Sequence, residues 1–224
     1  MKVGRNPAKR EKAQSANMNI SSSKTIIVPL PEGESSHEYI IQNESVCTIV
    51  LVSFNQRTVS SRVAVRLASP GSSATILGLV IAKTNAQINL HTMQYHEAPD
   101  TTSNLLVKTA LWDSATSSVE GGIRVELGAQ KTNAYQRNEN LLLSRNAKAT
   151  SKPSLEILAD DVRCTHGATM GPISEEELWY LATRGIPKNQ AQQLIISGFF
   201  QKGIDMLDDE AIRQELFQSV IDAI

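Results

Sequence analysis

Leu155-Glu156-Ile157-Leu158-Ala159-Asp160-Asp161-Val162-Arg163-Cys164-Thr165-His166-Gly167-Ala168-Thr169-Met170-Gly171 reads as β-type chain that carries a thiol and an imidazole on alternate residues. A strand sends successive side chains to opposite faces, so Cys164 and His166 leave the same face with backbone positions roughly 6.6 Å apart. That gap is too wide for a ready-made nucleophile and base, whose heavy atoms must come within about 3 Å. It suits two ligands converging on a metal or cluster between them. Asp160 and Asp161 are adjacent in the chain, so they point apart and form no acid–base dyad; they read as turn or solvent groups.

The chain upstream has the same character. Residues 25–30, 46–54, 59–67, 74–82, 86–95, 105–111 and 123–127 are short β-rich runs divided by Pro, Gly, Asn and Ser. Val63-Ala64-Val65-Arg66-Leu67 and Ile123-Arg124-Val125-Glu126-Leu127 alternate, with one apolar face and one charged face. A sandwich, a barrel and a β-solenoid all accommodate this pattern. The absence of a strict six-residue period disfavours a left-handed β-helix. Residues 1–23 hold Lys2, Arg5, Lys9, Arg10 and Lys12 with almost nothing apolar, which reads as a disordered, solvated basic tail.

After residue 172 the period changes. Ser174 with Glu177 is a capping box and Ile173 with Leu178 a hydrophobic staple, so a helix is expected from Glu175 to the stop at Gly185-Ile186-Pro187. A second helix is expected to show Ala191, Leu194, Ile195, Gly198 and Phe199 on one face before Gly203. A third, capped by Asp208 or Asp209, shows Ile212, Leu216, Phe217, Val220, Ile221 and Ile224. These helices either cover an exposed sheet edge or dock a partner.

Composition excludes several classes. The chain has 224 residues, 41% hydrophobic, with a formal net charge of -1, which gives no sign of nucleic-acid binding. No apolar run approaches the length of about 18 residues needed to span a bilayer, and residues 1–23 lack the apolar centre of a secretory signal, so a cytoplasmic protein is expected. Two cysteines, Cys47 and Cys164, make no disulfide framework and cannot alone hold a conventional cluster. Cys47 lies in an apolar run and reads as core. His91 and His96 are expected to hydrogen-bond between coils.

The run Leu155 to Thr169 resembles the signature of the SufD and SufB family of iron–sulfur cluster assembly proteins. The resemblance continues in order through Leu77-Gly78-Leu79, Gln87, His91-Thr92, His96, Ser103, Lys108, Gly122-Ile123-Arg124-Val125, Ala129-Gln130, Asn138 to Ser144 and Arg184-Gly185-Ile186-Pro187. Cys164, His166 and Gly167 are similar to the SufD branch; SufB-like chains have glutamate at the position of Gly167 and a cysteine near residues 145–147, where this chain has none.

The resemblance implies a right-handed parallel β-helix, here residues 24–172, followed by a small α-helical C-terminal domain, residues 173–224. The chain reads as a short form without the family's N-terminal helical domain. It implies a non-catalytic scaffold subunit that dimerises with a second SufB- or SufD-like β-helix, either a paralogue or a second copy. A SufC-like ABC ATPase docks on its C-terminal helices, and a transient iron–sulfur cluster forms at the β-helix junction before transfer to apoproteins. Cys164 and His166 are then the cofactor-binding and metal residues. No G-x-x-x-x-G-K-[ST] loop occurs, so ATP belongs to the partner. The competing readings are a β-helix enzyme, such as a polysaccharide lyase or cysteine-dependent transferase, and a purely structural interaction module.

Overall fold

The computed structural model describes residues 15–224. Odd-numbered strands β1 (Ser15–Ile20), β3 (Gly33–Ile41), β5 (Thr58–Leu67), β7 (Gln87–His96), β9 (Thr116–Val125) and β11 (Lys148–Ile157) form one sheet in that order. Even-numbered strands β2 (Lys24–Pro29), β4 (Val46–Phe54), β6 (Ser73–Ala82), β8 (Thr102–Leu111), β10 (Thr132–Leu142) and β12 (Val162–Gly171) form the other. Every pairing is parallel and joins a strand to the one two places along, so the chain winds as a parallel β-helix with one strand of each sheet per coil. Helices α1 (Glu175–Thr183), α2 (Lys188–Ile204) and α3 (Glu210–Ala223) follow. Among the described residues no helix is long and apolar enough to cross a membrane.

Alternation explains the interior. Inward side chains of neighbouring coils line up in columns: Ile26, Ile49, Ile76 and Leu105 stand side by side in the even sheet. A single coil has nothing to bury its inner face against, and stacking removes each such side chain from water at a gain of about 1.5–3 kcal/mol. The odd sheet keeps a wet outer face, where Gln87, Asn89 and His91 are exposed between buried Ile88 and Leu90.

The middle of the even sheet, β4, β6 and part of β8, is apolar on both faces. Val50, Leu77, Leu79, Ile81, Leu106 and Ala110 join a second core with Ile196, Phe200 and Ile204 of α2 and Leu216 and Val220 of α3. That double burial is why residues 46–54 and 74–82 read as continuous apolar runs. The helices therefore cover a sheet face and not a sheet edge.

Several expectations need correction. β1 lies inside the stretch read as a tail: it pairs with β3 and buries Ile20 completely. The tail expectation for residues 1–14 falls outside the described residues. The strand expected at 123–127 runs instead from Thr116 to Val125, because ladder pairing with β7 and β11 overrides the poor β-propensity of its Ser and Gly residues. The opening run divides at residues 158–161, where Asp160 and Asp161 occupy an exposed corner.

The helix ends follow the expected chemistry. The Ser174 hydroxyl accepts from the Glu177 N–H at 3.4 Å, and the Asp209 carboxylate accepts from Ala211 and Ile212 N–H at 2.9 and 3.1 Å. Gly185 adopts φ +78°, and the Ile186 N–H donates to the Leu181 carbonyl at 3.1 Å. α2 continues past its expected end: Gly203 is helical and lies so close to Lys108 and Leu77 that a Cβ would meet them at 3.0 and 3.1 Å. Its core face is Ile196, Phe200 and Ile204, and of the expected stripe only Ala191 is fully buried. Apolar residues thus occupy two faces of α2, and sequence spacing does not say which one the sheet takes.

Candidate functional site

β11 and β12 make the last coil, and each has one neighbour in its sheet. Cys164 stands beside Ala134 and His166 beside Gln136, which are buried inward residues of β10. Both side chains therefore belong to the inner face of the last coil. The column through Cys164 reads Cys47, Ala74, Ser103, Ala134, Cys164, so the two cysteines share one column at different coils. The column through His166 changes from aliphatic to polar: Ile49, Ile76, Leu105, Gln136, His166.

Position along the column decides the environment. Cys47 is wholly buried, and that burial pushes its thiol up to about 11. Cys164 is half-buried against Ile123, Val125, Ala129, Ala134 and Ala159; burial raises its pKa, partly opposed by a backbone hydrogen bond at Ala134. A metal ligated there must displace a thiol proton. His166 is exposed, and Leu155, Ile157 and Met170 of the same coil are exposed apolar side chains. Among the described residues no three His, Cys, Asp or Glu side chains converge to hold a metal.

Polar groups lie one and two coils beneath. The Gln136 amide donates to the Gly121 carbonyl at 3.1 Å, and the Gln94 amide reaches Gln136 Oε1 at 3.5 Å. A Cβ at Gly121 would come within 2.3 Å of Gln136 Nε2, so a larger residue there displaces the Gln136 amide from this hydrogen bond. The ring nitrogens of His96 lie 2.8 Å from Thr101 Oγ1 and Ser103 Oγ, contacts across the corner of one coil and not between coils. Burial holds that imidazole down at about 4. His91 faces solvent beside Glu120.

Two features went unread in the sequence. α1 and α2 enclose an open apolar groove of about 760 Å³, lined by Leu141, Tyr180, Leu181, Leu194, Ile195 and Phe199. The stripe expected on α2 supplies three of those residues. Beneath α2, Lys108 is 1% exposed and ion-paired with Glu139 at 2.5 Å. A lysine within Leu105-Leu106-Val107-Lys108-Thr109-Ala110-Leu111 was the available signal.

The SUF-system iron–sulfur cluster assembly SufBD core domain matches residues 34–199, from β3 into α2. The chain belongs to the SufBD family. It is 36% identical over 155 residues to the iron–sulfur cluster assembly protein SufD of Escherichia coli, covering 69% of this chain and 37% of that protein. It is 30% identical over 194 residues to an iron–sulfur cluster assembly SufBD family protein of Mycobacterium leprae, covering 83% of this chain and 50% of that one. The SufD of Bacillus subtilis is 33% identical over 138 residues, 62% of this chain and 32% of that protein. The chain thus spans half or less of these SufBD relatives, and the matched core includes the last coil, α1 and every residue lining the groove.

Proposed function

We propose that this SufBD-family chain is a non-catalytic scaffold subunit for iron–sulfur cluster assembly, with the nascent cluster as cargo held by Cys164 and His166. The observation that carries the reading is their shared inward face on a terminal coil whose apolar side chains, Leu155, Ile157 and Met170, are exposed. Thiolate is the preferred soft ligand for iron–sulfur species and imidazole also suits iron. Two donors fall short of the four a cluster takes, so a second β-helix, a SufB-like paralogue or another copy, supplies the rest. The outer edges of β11 and β12 carry unpaired backbone groups that a partner strand satisfies, and the apolar coil gains burial at the same junction.

Residues 173–224 serve as the dock for a SufC-like ABC ATPase, which hydrolyses ATP while this chain, placed in the cytoplasm, passes the cluster to apoproteins. The groove lined by Tyr180, Leu194 and Phe199 has the aromatic and aliphatic anchors of a binding hot spot. Two experiments test the parts separately. Anaerobic reconstitution with iron and sulfide, read by absorption and Mössbauer spectra, should yield clusters only when a second β-helix is present; equal yield from a monomer sinks the junction. Tyr180→Asp with Leu194→Asp should abolish co-purification of the ATPase at unchanged melting temperature. Retained co-purification sinks the dock.

A further inference from the structure

A separate cavity of about 190 Å³, with charged side chains in its lining, lies on the outer face of the even sheet, roofed by α2. Lys108 and Glu139 are register partners on β8 and β10, with Nζ 2.5 Å from Oε2, and Arg137 Nε lies 2.7 Å from Glu139 Oε1. Lys202 reaches in from α2. Three cations therefore line a cavity to which the described residues contribute one carboxylate, Glu139. Lys108 is almost wholly withdrawn from water, with Nζ 4.0 Å from the Phe199 ring centre. Burial lowers its pKa, and Lys202 and Arg137 lower it further against the pull of Glu139. Crowding like charges in a partly dry site is unfavourable unless a counter-anion joins them.

We propose that this cavity binds a phosphate-class oxyanion, either free phosphate or a phosphoryl group carried by a larger molecule. The excess of two positive charges matches a doubly charged anion. Arg137 presents a planar fork suited to such oxygens, Lys202 an exposed ammonium, and Tyr135 and Asn104 line the same cavity with neutral donors. Since the cations come from β8, β10 and α2, the bound anion fastens α2 to β10. β10 is the strand on which β12 is laid: Tyr135 stands beside Thr165 and Arg137 beside Gly167, on either side of His166. Occupancy thereby couples the helical segment to the coil of Cys164, whether or not the scaffold reading holds.

The test is calorimetric titration of the full chain with sodium phosphate at constant ionic strength, with ADP as a second arm. One saturable site per chain is expected, weakened at least tenfold by Lys202→Gln and by Arg137→Gln. Thermal melts supply a control, because general salt stabilisation acts on every variant alike whereas bound phosphate raises the wild-type melting temperature more than that of either variant. Lys202 is exposed, so its replacement leaves the fold intact. Competition by ADP assigns the site to phosphoryl groups; its absence restricts it to the free ion. No saturable binding, or equal binding by both variants, overturns the proposal.

Discussion

The same substitution at two levels of one column should have opposite consequences. Cys47 and Cys164 both face inward on the column Cys47, Ala74, Ser103, Ala134, Cys164, but Cys47 is wholly buried and Cys164 only half so. Cys47→Ser puts a hydroxyl into an aliphatic setting, at a cost of about 1–3 kcal/mol if the oxygen finds no partner. For a chain of this size about 2 kcal/mol lowers the melting temperature by roughly 4–8 °C. Cys164→Ser leaves a hydroxyl that water reaches, and the change in stability should stay below about 1 kcal/mol. Cluster assembly should reverse the order, with Cys47→Ser retaining wild-type yield and Cys164→Ser losing it. Urea unfolding and anaerobic reconstitution in the presence of the second β-helix read the two quantities independently. If Cys164→Ser assembles clusters normally, or loses as much stability as Cys47→Ser, the last coil is ordinary core and the assignment fails.

Acid should weaken the fold through His96, whose pKa is about 4 in the folded chain against 6.5 when exposed. The folded state refuses a proton that the unfolded state takes, so stability is constant above pH 6.5 and falls below it, by about 2 kcal/mol at pH 5. His37, lowered in the same direction by burial, adds to the slope; urea titrations at pH 7 and 5 measure it, and an equal slope in His96→Gln would refute the part given to His96. Asn138 is buried with neither side-chain atom bonded among the described residues, so Asn138→Leu should raise stability by roughly 1 kcal/mol, and a loss on calorimetry would show that the amide is satisfied. Phe200→Ala should cost about 3–5 kcal/mol in urea unfolding, since its ring is fully buried between helices and sheet; a loss under 1 kcal/mol would mean that α2 barely depends on this contact.

The strands legible in the sequence are those whose environment is uniform. Residues 46–54 are continuous apolar chain because β4 is buried on both faces, and 59–67 alternate because β5 is wet on one. β3, with Ser35 and His37 facing inward, and β10, with Gln136, Asn138 and Asn140 inward, carry polar groups where a strand pattern needs apolar ones. They are strands because flanking coils supply the ladder, which no local window contains. The coil repeat is hidden for a related reason: Gly33 pairs with Val59, Thr58 with Gln87 and Thr116 with Lys148, so the step between coils lengthens along the chain.

What the sequence determined by itself was local and periodic. Strand alternation put Cys164 and His166 on one face, and capping chemistry began α1 at Glu175 and α3 after Asp209. Which face that was, inward and at the open end, came only from the pairing of β12 with β10. The groove between α1 and α2, and the meeting of Lys108, Arg137 and Lys202, likewise depend on which of two apolar faces α2 gives to the sheet. Alternation and capping are properties of a few neighbouring residues, whereas register and helix rotation are settled by the summed burial of residues far apart in the chain.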